Sequence, residues 1–313
     1  DATQGWIPTT DDDVTDAPYK GNPYGIFAYG ESSGIGKIAI SNLVSSTGVV
    51  ASDTSGVGTA RYVVAGASYG EDKGIFGFGL DASAITGVSN LVSNSGVVAS
   101  DVTAVGTARY GPSACEYGTD TAIFAYGYTT TYVSMSNLVS DAGVIATDVT
   151  GVGTDKKGLA ACSYGGDKGI FCYGEGTGGS GGGTLNARNL VSNLGVIADD
   201  VTGAGTIRAD LAACEYGYDK GIFGFGNPAG TGYLGVTNLV TNAGVVGTDV
   251  SAVGTARRSL EACSYGYDKG IFAYGTTGSQ TAISNLVSNA GVVAADVSGV
   301  GTVRIAPGAC EYG

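Results

Sequence analysis

Beyond residue 20, apolar side chains fall in runs of four to eight, cut short by Gly, Asn and Asp. Runs of that length, rich in Val, Ile, Tyr and Phe, are strand signals. No ten-residue window carries a sustained 3.6-residue period, so helices are not expected. Four run types recur in a fixed order, exemplified by "LEACSYG", "GIFAYG", "AISNLVS" and "GVVAADVS". "YGYDKG" joins the first two types and "SNAG" the last two. Both are turn-forming texts, and they predict two hairpins per unit.

The order repeats. Ile-Phe pairs begin at Ile26, Ile75, Ile123, Ile170, Ile222 and Ile271. Each is followed by an Asn: Asn42, Asn90, Asn137, Asn189, Asn238 and Asn285. Each Asn precedes an Asp at a constant distance: Asp53, Asp101, Asp148, Asp200, Asp249 and Asp296. A base comes next (Arg61, Arg109, Lys156, Arg208, Arg257, Arg304), then a Tyr (Tyr69, Tyr117, Tyr164, Tyr216, Tyr265, Tyr312). The Asn–Asp, Asp–base and base–Tyr intervals never change. Length varies only between Phe and Asn. The pattern describes a rigid unit with one adjustable loop.

Four short strands per unit of this size predict an all-β, six-bladed propeller of four-stranded blades over residues 21–313. A β-solenoid is the rival, though its repeats are usually shorter. Residues 305–312 carry a first strand and residues 24–54 carry the other three. The expectation is a ring closed by the C-terminal strand completing the first blade, which also removes exposed strand edges. The units resemble kelch-type repeats, in the apolar strand ending in Gly and in the base before the next inner strand. They depart from that family in having a single Gly, as at Gly30 and Gly275, and no blade Trp. "SNLVSNAGVVA" with "GVGTAR" also resembles repeats of bacteriophage and environmental viral proteins.

Composition narrows the function. The formal net charge is −13, with 14% charged residues and 56 Gly in 313 residues. Such a surface disfavours nucleic acid and anionic membranes. No apolar run is long enough to span a bilayer as a helix.

The chain has no His, which excludes Ser-His-Asp and Cys-His catalysis and removes the commonest nitrogen ligand of zinc. "EGTGGSGGGT" at 175–184 lacks the Gly-Lys-Ser/Thr of a phosphate loop. The aspartate-box pattern of six-bladed sialidases is absent. Six copies of an Asp and a base do not converge as a catalytic set does. They predict an Asp–Arg or turn-capping contact within each blade, with each Asn amide bonded to nearby backbone. One carboxylate per Asp-Lys hairpin is too few oxygens for calcium. Asp11, Asp12 and Asp13 form a better ion candidate, or else a solvated tail. No enzyme activity, cofactor or metal is expected.

Cys115, Cys162, Cys214, Cys263 and Cys310 share one repeat position, where another unit has Ala67. Cys172 stands apart. Setting Tyr164 opposite Ile170 places Cys162 opposite Cys172, the one pair within disulfide reach. The alternative is six free thiols.

The variable loops are rich in Gly, Ser, Thr and Tyr, a composition suited to adaptable binding. Candidate ligand contacts are Tyr128, Thr130, Tyr132, Glu175, Arg188 and Tyr233. Residues 1–20 are acidic, lie outside the repeat and hold the only Trp. They read as an arm or linker, with Trp6 the candidate partner-docking residue. The resemblance to viral repeats implies a structural or attachment protein on a virion surface. Its partners would be other virion subunits and a host-surface glycan. The alternatives are a secreted or cell-surface lectin-like module and a filament-forming subunit.

Overall fold

A computed structural model describes residues 21–103, 105–179, 183–228, 232–251 and 253–313. Trp6 and Asp11–Asp13 lie outside them. The fold is all-β and built from small antiparallel sheets. No helix among the described residues is long and apolar enough to cross a membrane.

Each unit contributes three main strands. In one unit these are Ala65–Tyr69, Lys73–Gly77 and Ser89–Val92, with the second strand in the middle. The first hairpin sets Tyr69 opposite Lys73 and Ala67 opposite Ile75. The second and third strands set Phe76 opposite Asn90. The C-terminal strand Gly308–Tyr312 pairs with Tyr24–Ala28, which pairs in turn with Ser41–Val44. The two ends of the repeat array therefore share one sheet, as their complementary sequences predict.

The expected fourth strand is mostly reduced. Only one unit forms it as a strand, Val201–Thr202 against Ala187–Val191. In the other units two isolated bridges hold the segment, such as Val44–Val50 and Ser41–Thr54. An Asn lies beside this segment in every unit. Asn42 Nδ2 donates to Ala51 O at 3.0 Å and to Asp53 Oδ1 at 2.9 Å. Asn189 makes the same two bonds, to Ala198 O and Asp200 Oδ1, in the unit that does form the strand.

That Asp does not stay within its own unit. Asp101 accepts from Thr59 Oγ1 at 2.6 Å, and from Thr59 N, in the preceding unit. The same clasp joins Thr107 to Asp148, Thr154 to Asp200, Thr206 to Asp249 and Thr255 to Asp296. Thr302 clasps Asp53 at 2.7 Å, so the series returns to its start. Burial raises the Asp53 pKa, but bonds from Thr302 and Asn42 outweigh it and hold the carboxyl below its usual range. Each Asp accepts from the Asn of its own unit, and the expectation of a contact confined to one blade is corrected by the second bond, from the neighbouring unit's Thr. Close approach explains Gly58 (φ +77°): a Cβ there would lie 2.6 Å from Asn90 Nδ2.

The bases fill the same junctions. Arg61, Arg109, Lys156, Arg208, Arg257 and Arg304 are all fully buried. Arg61 lies 4.1 Å from the Tyr29 ring centroid on one side. On the other it donates to Phe78 O at 2.9 Å and Asn90 Oδ1 at 2.6 Å. Tyr29 also meets Phe76 edge-on at 5.5 Å. Tyr274 repeats that contact with Phe27, where the last unit meets the first. Each hydrophobic cluster among the described residues draws on two neighbouring sheets. Burial pushes Arg109 down to about 10 and Lys156 to about 8.

The cysteines serve this packing. A Cβ placed on Gly169 would collide with Cys115 Sγ of the preceding unit. Gly221, Gly270, Gly74 and Gly25 stand in the same relation to Cys162, Cys214, Cys310 and Cys263. In the one junction where the Cys is replaced, by Ala67, the facing Gly is also replaced, by Ala122. The lost sulfur and the gained methyl compensate. All six cysteines are free. The Cys162–Cys172 pairing is corrected: Tyr164 faces Lys168, so Cys162 faces Ile170 and Cys172 faces Ala160. The turn is two residues tighter than the sequence reading assumed.

Gly169→Ala is expected to cost about 1–3 kcal/mol through overpacking. Adding Cys115→Ala is expected to restore most of that loss. Denaturant melts of both single variants and the double variant measure the coupling. An additive double variant would overturn the pairing.

Candidate functional site

The residue after each buried base pairs with the first residues of the adjustable loop. Tyr62 bridges Leu80, and Tyr110 bridges Tyr128. Lys157 pairs with Glu175, and Arg258 bridges Thr276. These short ladders seat the variable loops beside the entrance to the first strands.

One position further on, the backbone closes a cycle. Val63 N donates to Ala306 O at 2.9 Å, Ala306 N to Ser259 O at 2.8 Å, and Ser259 N to Asp210 O at 2.8 Å. Asp210 N donates to Gly158 O at 2.8 Å, Gly158 N to Gly111 O at 3.3 Å, and Gly111 N to Val63 O at 3.4 Å. All six residues hold positive φ, from +47° at Ala306 to +65° at Gly111. Left-handed geometry costs an L-residue roughly 1–2 kcal/mol, and a β-branched Val63 is an outlier there. The cycle of hydrogen bonds holds the strain in place.

This collar rings a cavity of about 210 Å³. Tyr62, Tyr110, Lys157, Asp210, Ser259 and Glu261 supply its polar and aromatic lining. Below it, the six first strands line a narrower space walled mainly by Ala, Ser and Cys. Pro112, Leu159 and Glu261 border both.

A tyrosine cluster stands on one side of the mouth. The Tyr110 and Tyr128 rings lie 5.4 Å apart, and Tyr132 meets Tyr128 edge-on at 5.2 Å. Lys157 Nζ sits 5.0 Å from the Tyr110 centroid and 5.3 Å from that of Tyr128. It pairs with Glu175 at 3.0 Å and donates to the Tyr110 hydroxyl at 3.4 Å. Lys37 lies over Tyr62 at 5.3 Å. Across the mouth, Asp210 lies 3.8 Å from Arg258. Burial raises the Asp210 pKa, and the nearby Glu175 adds to the rise.

Glu261 differs in kind. It occupies a first-strand position that holds Ala65, Ser113, Ala160, Ala212 or Gly308 in the other units. Its Oε1 accepts from Ala262 N at 3.2 Å. Desolvation by the surrounding walls pushes its pKa up to about 8.

Of the residues expected from sequence, Tyr128, Tyr132 and Glu175 come together. Thr130 sits exposed at the tip of the loop between Tyr128 and Tyr132. Arg188 lies within a strand opposite Cys172, its Nε buried without a hydrogen-bond partner. Tyr233 is exposed near Gly278, in another unit's loop. Sequence reasoning missed Tyr62, Tyr110, Lys157, Asp210 and Glu261. The available signal was columnar: the two positions after the conserved base vary freely while their spacing does not.

The arrangement offers aromatic faces, paired charges and a pit, which suits ligand recognition. Among the described residues, no group of three or more His, Cys, Asp and Glu side chains is placed to hold a metal ion. No protein-family model and no curated protein matches the chain.

Because the folded-state pKa of Glu261 lies above its unfolded value, its contribution to stability is complete below about pH 4.3. It is lost as pH rises through about 8. Glu261→Gln is therefore expected to gain stability relative to wild type between pH 5 and 8, by a few degrees in Tm. Parallel melts across that range check the sign. A constant difference would contradict it.

Proposed function

We propose that the six units close into a six-bladed β-propeller that acts as a non-enzymatic attachment module and binds carbohydrate at its loop face. The closure is supported by contacts that return to their start: the Thr–Asp clasps, the aromatic edge pairs and the collar. A virion setting, with other virion subunits as partners, follows from the resemblance of the repeats to those of phage and viral proteins.

The observation that carries the binding reading is the Tyr110–Tyr128–Tyr132 cluster with its Lys157–Glu175 pair. Aromatic faces stack on the apolar faces of sugar rings. A neighbouring ammonium and carboxylate supply a donor and an acceptor for ring hydroxyls. The site lies on the face whose loops differ most between units, where specificity can change without disturbing the junctions.

A glycan screen with the intact protein tests this. Wild type is expected to bind a defined subset of sugars, and Tyr110→Ala to weaken that binding about tenfold, on the order of 1.4 kcal/mol. Tm should be little changed, because Tyr110 is only partly buried. Absence of sugar binding, or binding indifferent to Tyr110, would sink the reading.

A further inference from the structure

Glu261 breaks the repeat where breaking it is most costly. Its five counterparts are Ala, Ser or Gly. A carboxyl there has no structural duty visible in the other units. It borders both the pit and the space beneath, as Pro112 and Leu159 do, and it is the acidic one of the three. The other charges around the pit are already matched: Lys157 with Glu175, and Arg258 with Asp210. Tyr62 and Tyr110 line the wall, and each already holds an ammonium over its ring, Lys37 and Lys157 respectively.

We infer that the axial pit is an ammonium site, in which Glu261 takes the protonated amine of a ligand between the walls formed by Tyr62 and Tyr110. This rests on the loop face being a sugar-binding site and narrows the ligand to an amino sugar. The cavity of about 210 Å³ has the scale of a single sugar ring, so the amine-bearing residue is a chain end and not an interior one. Carboxylate and aromatic walls together favour a cation more than either alone. Binding is proton-coupled. At neutral pH the Glu261 carboxyl is mostly protonated, because burial holds it up to about 8. Pairing with an ammonium ionises it, and its proton leaves to solvent while the ligand's amine keeps its own.

Titration calorimetry of the intact protein at pH 7 tests this with glucosamine, N-acetylglucosamine and methylammonium. Buffers of different ionisation enthalpy report the proton. The expected result is glucosamine binding with net proton release, weakened tenfold or more by Glu261→Gln and by Glu261→Ala. The Ala variant reproduces what three other units carry, so folding is not the variable. N-acetylglucosamine, lacking the charge, is expected to bind more weakly and to ignore both substitutions. If glucosamine binds equally to wild type and both variants, or releases no proton, the ammonium site is overturned while sugar binding stands. If methylammonium binds in a Glu261-dependent way and no sugar binds, the ammonium site stands and the carbohydrate reading falls. If none of the three binds, the ammonium site falls, and the glycan screen decides the carbohydrate reading.

Discussion

Each junction between neighbouring units is built on a fully buried cation. A charge taken out of water is tolerated only when hydrogen bonds and counter-charge replace what water supplied. Here the guanidinium lies against an aromatic ring of one sheet and bonds to an Asn and carbonyls of the next. The same Asn turns its amide toward the clasping Asp, which the preceding unit's Thr also holds. At the Arg61, Arg109, Lys156 and Arg208 junctions, base, Asn, Asp and Thr thus form one polar network. At the Arg257 and Arg304 junctions the base turns instead to the Phe272 and Phe27 carbonyls, and Asn285 Oδ1 and Asn42 Oδ1 are buried without a partner.

The junction also accounts for a feature that looks like a defect. The aromatic of each second strand sits in left-handed geometry, as at Tyr29 (φ 64°) and Phe78 (φ 62°). That places its ring under the base. Strain of this kind persists only where the surroundings over-determine it. The collar is a second instance, and there the strain borders the pit.

A rigid repeated frame leaves function to the positions that the frame does not use. The loops vary, and so do the two residues after each base. Tyr110, Lys157, Asp210 and Ser259 all stand in those columns. The asymmetry of the mouth, a tyrosine cluster with the Lys157–Glu175 pair on one side and the Asp210–Arg258 pair across from it, arises from substitution within a symmetric scaffold. Glu261 is the sharpest case, an acidic side chain at a strand position where the other units carry Ala, Ser or Gly.

Repeat length, strand order within a unit, and the sharing of one sheet by residues 24–44 and 308–312 could be read from the sequence. Each rests on local periodicity and on spacings that the chain displays six times. The Cys162–Cys172 pairing was misread because a hairpin turn two residues tighter shifts every cross-strand partner, and apolar alternation is blind to a shift of two. The Asp series was assigned to its own blade because nothing in a spacing of eight tells a contact within a unit from one across a junction. Tyr128, Tyr132 and Glu175 were legible as loop residues, but not their convergence with Tyr110 and Lys157, which lie in other segments. By itself the sequence determined the unit, its strands and its conserved spacings, because these depend on neighbours along the chain. Only the tertiary structure decided which unit each polar group grips and which side chains share the pit. Those depend on how one sheet packs against the next, through contacts between residues more than forty apart in the chain.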